Sequence, residues 1–129
     1  LADQSIVLET RNLQYEVYAD PLFSRVFENL ADNSLRHGKK VRRITVSAER
    51  TSDGGLLVVY EDDGAGVSED EKTLIFQKGF GKNTGLGLFL SREILEITRI
   101  SIRENGLPDR GATFEIAIPP ESVRTVGSR

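Results

Sequence analysis

Apolar residues recur at intervals of three and four between residues 20 and 37, which is the spacing of one buried face of an α-helix. These positions are Leu22, Phe23, Val26, Phe27, Leu30, Ala31 and Leu35. Asp20 is a suitable N-cap, and Pro21 suits the first helical position because its missing N–H costs nothing there. We therefore predict a long amphipathic helix that begins at this pair of residues.

Three polar side chains lie along one edge of this predicted helix. At about 100° per residue, Asn33 falls between Leu22 and Val26, inside the apolar sector. Asn29 and Arg36 follow the same edge. An amide in such a place needs hydrogen-bond partners, and for a single Asn the neighbouring backbone would be the ordinary explanation. Two amide oxygens and a guanidinium in one row are also what a metal-bound phosphate chain requires.

Period-two alternation and turn residues between apolar runs predict the strands. They cover residues 6–8, 13–18, 41–50, 56–60, 99–104 and 113–118. The turn sequence Ser52-Asp53-Gly54-Gly55 separates two of them and predicts a hairpin. We expect one domain over residues 1–120, followed by a loose tail at residues 121–129.

The strand at residues 56–60 leads into the turn sequence Asp62-Asp63-Gly64-Ala65-Gly66-Val67. An acidic residue at the end of a strand, followed by two glycines, places a carboxylate at the sheet edge beside backbone that a flat ligand can approach. A tight turn with a solvated Asp62 explains this short motif equally well when the motif is taken alone.

Residues 68–84 are acidic at first and then carry a few apolar residues among lysines, which predicts a mobile lid with hydrophobic contacts. The segment runs into Gly79-Phe80-Gly81-Lys82-Asn83-Thr84-Gly85-Leu86-Gly87-Leu88, and a second amphipathic helix follows. Backbone N–H groups and the dipole at a helix N-terminus favour an anion. This helix start is a candidate phosphate site, although glycines before a helix often form only a turn.

Composition narrows the function classes. The chain has 129 residues, of which 38% are hydrophobic and 29% charged, as in an ordinary globular domain. It has no cysteine, which excludes disulfides and thiolate metal sites. The net charge of −3 argues against general nucleic-acid binding. We see no segment with the length of a membrane span and no signal-peptide pattern.

Taken together and in order, these motifs resemble the catalytic and ATP-binding domain of sensor histidine kinases, within the gyrase, Hsp90, histidine kinase and MutL (GHKL) ATPase superfamily. The resemblance covers residues 12–120. Residues 28–37 resemble the N box, 62–67 the G1 box, 76–80 the F box, 85–88 the G2 box, and Gly111-Ala112-Thr113-Phe114 the motif of the last strand. It implies an α+β fold of the Bergerat type, a two-layer sandwich in which helices cover one face of a mixed, mainly antiparallel sheet.

The resemblance also implies ATP and Mg²⁺ as ligands. Asp62 would accept a hydrogen bond from the adenine amino group. Asn33 would ligate Mg²⁺ with Asn29 beside it, and Arg36 would meet the phosphates; these three are the expected catalytic residues. The other expected nucleotide contacts are His37, Gly64, Gly66, Val67, Phe76, Phe80, Lys82, Thr84, Gly85, Leu86, Gly87, Leu88 and Thr113.

One departure from the superfamily bears on the reaction. Hydrolytic members usually carry a Glu at the position of Asn29, where it activates water as a general base. An amide cannot take a proton, and Glu28 lies about 100° away around the helix. The expected chemistry is therefore phosphoryl transfer to a delivered nucleophile rather than hydrolysis. We expect His37, the one histidine, to pack or to contact nucleotide and not to accept the phosphate.

The resemblance predicts a cytoplasmic domain that passes the γ-phosphate of ATP to a histidine on a phosphoacceptor domain absent from this chain. A response regulator would act downstream, the isolated domain would be a monomer, and the parent protein would be a homodimer that is either anchored in a membrane or soluble. Two alternatives stay open at this point. One is a serine kinase of the anti-sigma type, and the other is a module that senses nucleotide without catalysis.

Overall fold

The computed structural model describes residues 7–11, 15–19, 21–37, 41–79 and 87–125. The helices in these ranges are α1 (Phe23–His37) and α2 (Gly87–Glu96). The strands are β1 (Val7–Arg11), β2 (Tyr15–Val17), β3 (Arg43–Arg50), β4 (Leu56–Asp62), β5 (Ser101–Glu104), β6 (Thr113–Ile118) and β7 (Val123–Thr125). None of the helices described is long and apolar enough to cross a membrane.

Five strands form the main sheet in the order β1-β3-β4-β6-β5. Strand β1 runs parallel to β3, and the other neighbours are antiparallel. Strands β3 and β4 form the predicted hairpin, in which Ile44 pairs with Asp62 and Arg50 pairs with Leu56. The predicted fold class, a two-layer sandwich with a mixed and mainly antiparallel sheet, is confirmed.

The core lies between one face of this sheet and the two helices. Alternate residues of β4 and β6 are buried, as expected for a sheet with one covered face. Val26 and Leu30 of α1 and Leu95 of α2 are each 0% exposed. The two helices pack against each other as well as on the sheet. This arrangement brings the polar edge of α1 close to the start of α2.

The buried face of each helix is narrower than the sequence predicts. Leu22 and Leu35 are 51% and 53% exposed, although both were assigned to the apolar face. Leu22 lies in a turn before α1, where its carbonyl accepts the N–H of Arg25, so it does not share the helical face. The helix begins at Phe23 rather than at Pro21, and the predicted cap Asp20 lies outside the described residues.

The predicted loose tail is wrong for residues 121–125. Residues Pro120–Ser122 form a short 3₁₀ helix, and β7 pairs with β2 in a separate two-stranded antiparallel sheet. The N–H of Tyr18 also donates to the carbonyl of Ser122 at 2.8 Å. Both partners are short and far apart in sequence, so their pairing leaves little local signal. Residues 126–129 are outside the described ranges.

The first part of the predicted lid packs on the core. Residues Glu69–Glu71 and Leu74–Phe76 form two short 3₁₀ helices. Ile75 and Phe76 are 8% and 3% exposed, which confirms the predicted hydrophobic contacts of this segment. Phe76 meets the ring of Phe114 edge to face, with 6.2 Å between centroids. The lid residues 80–84 lie outside the described residues, as do 85 and 86.

The buried hydroxyl of Tyr60 leads to a prediction about stability at high pH. Burial raises the pKa of Tyr60 from 10.0 to about 12. The unfolded chain releases this proton near the ordinary pKa while the folded chain retains it. The free energy of unfolding should therefore be unaffected by this group at lower pH and should fall as the pH rises from 10.0 to about 12. Urea unfolding across this range should show a shallower fall for Tyr60→Phe, and equal slopes would contradict the assignment.

Candidate functional site

The carboxylate of Asp62, at the end of β4, is the most heavily bonded group of the site. It is 7% exposed. Its Oδ1 accepts the backbone N–H groups of Gly64 and Ala112, both at 3.0 Å. Its Oδ2 accepts the hydroxyl of Ser34 at 2.6 Å. Because each carboxylate oxygen offers about two acceptor sites, Oδ1 is saturated and Oδ2 keeps one site for a ligand N–H.

The hydrogen bond from Ser34 to Asp62 belongs to a chain with a defined direction. A carboxylate only accepts, so the single proton of the Ser34 hydroxyl goes to Asp62. The contact of 2.8 Å between Ser34 Oγ and the hydroxyl of Tyr60 must then be donated by Tyr60. All three side chains are buried. The chain therefore sets the orientation of the carboxylate and joins α1 to the end of β4.

The loop at residues 105–112 supports the Asp62 turn from one side. Gly111 has φ +111°, and a Cβ on it would lie 1.9 Å from the carbonyl oxygen of Asp62. Gly66 has φ +77°, and a Cβ on it would lie 3.0 Å from the carbonyl oxygen of Gly111. Glycine is thus required at both positions by conformation and by contact. Sequence reasoning attributed Gly66 to the approach of a flat ligand, whereas the contact with the loop already requires it.

The neighbouring Asp63 has a different role, which sequence reasoning missed. Its side chain is exposed, and its Oδ1 accepts the backbone N–H groups of Arg42 and Arg43 at 2.7 and 3.0 Å. Burial alone would raise the pKa of Asp63, but these two hydrogen bonds, the N–H of Asp63 itself and the charge of Arg43 together lower the pKa below its usual value. Asp63 therefore holds the start of β3, and its only sequence signal is the doubled aspartate.

Asn29 connects α1 to the first turn of α2. Its Nδ2 donates to the carbonyl of Gly87 at 3.2 Å and to Oγ of Ser91 at 3.0 Å. Ser91 is 0% exposed and donates in turn to the carbonyl of Gly87 at 2.9 Å. Since a carbonyl only accepts, the amide nitrogen must face α2 and the amide oxygen must face away. Sequence reasoning placed Asn29 beside a metal and did not foresee this contact between helices.

Asn33 and Arg36 continue the same edge of α1. Asn33 is half-buried, and its amide has no hydrogen-bond partner among the residues that the structure describes. Arg36 is exposed, and its Nε donates to both carboxylate oxygens of Asp32 at 3.0 and 2.9 Å. This leaves the terminal nitrogens of the guanidinium for another acceptor. The described residues therefore leave the amide of Asn33 and these nitrogens available to a ligand along this edge.

The protein can supply only a few of the ligands of a metal ion bound at this site, as far as the described residues show. Within the described ranges, no group of three His, Cys, Asp or Glu side chains could hold a metal ion. An ion at Asn33 would therefore take most of its ligands from a bound phosphate chain and water. That is the usual way in which Mg²⁺ binds beside a nucleotide.

The structure places the remaining predicted contacts differently from one another. The ring of Phe76 is buried in the core and packs against Phe114, and its predicted contact with nucleotide stays a prediction. Gly87 has open space where a Cβ would lie, whereas Val67 and Leu88 are half-buried against the core. Thr113 is half-buried and its N–H is bonded to Glu104. The side chain of His37 and the predicted contacts Phe80, Lys82, Thr84, Gly85 and Leu86 lie outside what the structure describes.

Known proteins are similar to this chain in sequence and in fold. The alginate biosynthesis sensor protein KinB of Pseudomonas aeruginosa is 35% identical over 126 residues, which cover 92% of this chain and 19% of KinB. A solved catalytic domain of histidine kinase ThkA is 27% identical with a TM-score of 0.73, and the match covers 90% of this chain and 80% of that one. Full-length ShkA in complex with AMPPNP is 20% identical with a TM-score of 0.80, covering 98% of this chain and 27% of that one.

The sensor proteins KinB and RssA are much longer than the chain. It spans 19% of the length of KinB and 22% of the length of the swarming motility sensor protein RssA of Serratia marcescens. The family model that matches residues 19–122 is described as histidine kinase-, DNA gyrase B-, and HSP90-like ATPase. The match includes α1, the Asp62 turn, α2 and the 105–112 loop. The chain therefore belongs to the family of histidine kinase-, DNA gyrase B- and HSP90-like ATPases.

Proposed function

We propose that this chain is the ATP-binding catalytic domain of a two-component sensor histidine kinase. It would transfer the γ-phosphate of ATP to a histidine on a separate phosphoacceptor domain. The observation that carries the proposal is that α1 is bonded both to the Asp62 turn, through Ser34, and to the start of α2, through Asn29. The three polar motifs, distant in sequence, thus line one site.

Adenine recognition is assigned to Asp62. The one acceptor site left on its Oδ2 suits the exocyclic amino group of adenine, which donates hydrogen bonds. Guanine carries a carbonyl at the corresponding position, and two acceptors would face each other there. The other oxygen is already saturated by backbone N–H groups. The carboxylate is therefore held in place before the base arrives.

The phosphate end is assigned to the edge of α1 and the start of α2. Asn33 offers an unpaired amide oxygen to a magnesium ion carried by the nucleotide, and Arg36 offers its terminal guanidinium nitrogens to phosphate oxygens. Gly87 leaves open space at the first turn of α2, where N–H groups and the helix dipole favour an anion. The ion would neutralise charge on the phosphates during transfer.

Transfer is favoured over hydrolysis because α1 presents no suitable general base to the site in the part described. Asn29 cannot take a proton, and its nitrogen is bonded to α2. The Glu28 side chain is 69% exposed and lies 3.4 Å from the Arg25 guanidinium. The nucleophile would come from a phosphoacceptor domain, with a response regulator acting downstream. We place the domain in the cytoplasm, as a monomer on its own and within a homodimer in the parent protein.

The proposal is tested by titrating the chain with ATP, with and without Mg²⁺, and then by supplying isolated phosphoacceptor domains of sensor histidine kinases together with labelled ATP. We expect saturable binding that Mg²⁺ strengthens and phosphate that reaches the acceptor histidine. Binding without transfer to any acceptor domain would favour a nucleotide sensor. Transfer to serine would favour a kinase of the anti-sigma type, and absence of binding would refute the proposal.

Asp62→Asn should weaken ATP binding and reduce the preference for ATP over GTP. A lost hydrogen bond to a charged group is typically worth about 1.5–3 kcal/mol, which is roughly tenfold to a hundredfold in affinity. Asp63→Asn is the matched control, because this neighbouring carboxylate accepts backbone N–H groups at the start of β3 and not those of the Asp62 site. Calorimetric titration should show a large loss for the first variant and little change for the second. Equal losses would remove the assignment.

Asn33→Ala should remove most of the dependence of ATP affinity on Mg²⁺. The amide has no partner among the described residues, so truncation should leave the melting temperature nearly unchanged. The measurement compares ATP affinity with Mg²⁺ and with a chelator, in the variant and in the unsubstituted chain. Unfolding of the variant, or an unchanged Mg²⁺ dependence, would contradict the role of Asn33 in metal binding.

Asn29→Asp distinguishes a metal ligand from a contact between helices. The substitution keeps an oxygen for Mg²⁺ but sets a carboxylate against the carbonyl of Gly87 and removes both donated hydrogen bonds. We expect a lower melting temperature, a loss of about 1–3 kcal/mol in stability and weaker ATP binding. In a Ser91→Ala background, the same substitution should cost less stability, because one of the two hydrogen bonds is already absent. Undiminished stability with tighter Mg²⁺-dependent binding would show that the metal role dominates.

A further inference from the structure

A buried ion pair lies beside the site and belongs to none of the motifs. Glu104, at the end of β5, has a side chain that is 0% exposed, and Lys72, after the first 3₁₀ helix of the lid, has one that is 15% exposed. The Nζ of Lys72 donates to Oε1 of Glu104. Burying two charges is costly, and a buried pair is by itself weak evidence for stability. Its position in the fold suggests another use.

Both members of the pair bond to the base of the 105–112 loop. Oε2 of Glu104 accepts the backbone N–H groups of Gly106 and Thr113, both at 3.0 Å. Nζ of Lys72 also donates to the carbonyl of Gly106 at 2.7 Å. The pair therefore holds the two ends of this loop together, at the point where the loop leaves β5 and the point where it reaches β6.

The same loop sets the position of the Asp62 carboxylate. Ala112, next to Thr113, donates its N–H to Oδ1 of Asp62 and accepts the N–H of Asp62 at 2.9 Å. Gly111 packs directly on the carbonyl of Asp62. A shift of the loop would therefore move a hydrogen-bond donor away from Asp62.

We infer that Lys72 and Glu104 are positioning residues for adenine recognition. They act through the 105–112 loop and touch no nucleotide themselves. This inference rests on the proposed function, because it concerns the same carboxylate. The pair also ties the first part of the lid to the wall of the adenine site, since Ile75 and Phe76 follow Lys72 within four residues and are buried.

The test measures the affinities for ATP, ADP and GTP, with Mg²⁺, of Lys72→Met, Lys72→Arg and the unsubstituted chain. The matched control is Arg103→Met, which removes an exposed cation that pairs with Glu115 in the adjacent strand. We expect Lys72→Met to lose about three- to tenfold in affinity, equally for ATP and ADP, with a smaller preference over GTP. Lys72→Arg should restore both properties, and Arg103→Met should change neither.

Each other outcome has a distinct meaning. A lower melting temperature with unchanged nucleotide affinities would make the pair purely structural and overturn the inference. A loss confined to ATP would place Lys72 on the γ-phosphate, which also overturns it. If Lys72→Met does not fold, the variant Lys72→Met/Glu104→Gln, which removes both charges, should show the same loss. Absence of ATP binding by the unsubstituted chain would refute the proposed function first and this inference with it.

Discussion

The carboxylate of Asp62 is the constraint on which the site depends. A buried carboxylate is tolerated only when its oxygens are bonded, and here the donors come from the β4 turn, from the loop before β6 and from α1. Each donor belongs to a different element. The hydrogen bonds to this one side chain therefore fix the positions of those three elements relative to one another. The one acceptor site that remains, on Oδ2 of Asp62, is available to a ligand.

The strands of the main sheet, the two long helices and the order of the motifs were predictable because they follow from local patterns. Alternation gave β3 and β4, and three- and four-residue spacing gave α1, since each pattern reflects one buried face. The Asp62 turn and the polar edge of α1 were recognisable as motifs for the same reason. These patterns do not reveal how wide the buried face of a helix is, because that width depends on which residues pack against the helix. Leu35 was misplaced for that reason, whereas Leu22 was misplaced because the helix begins after it.

The contacts that join the motifs were not predictable, because their partners are far apart in sequence. Asn29 bonds to Gly87 and Ser91, and Lys72 bonds to Glu104, across intervals in which no periodic pattern relates the two residues. A lysine in a polar lid and a glutamate in a short strand are each ordinary surface residues by composition. Only the sheet order, which places β5 beside β6, brings Glu104 to the loop that supports Asp62.

The identity of residue 29 connects the packing of the helices to the proposed chemistry. The carbonyl of Gly87 faces α1 and accepts the amide N–H of Asn29 as well as the hydroxyl of Ser91. A carboxylate at this position has no hydrogen to give, so a general base there would leave two oxygens opposed between the helices. The contact that orients the start of α2 therefore disfavours the residue that would activate water. The single amide of Asn29 thus joins the two helices and leaves its own position without a group that can take a proton.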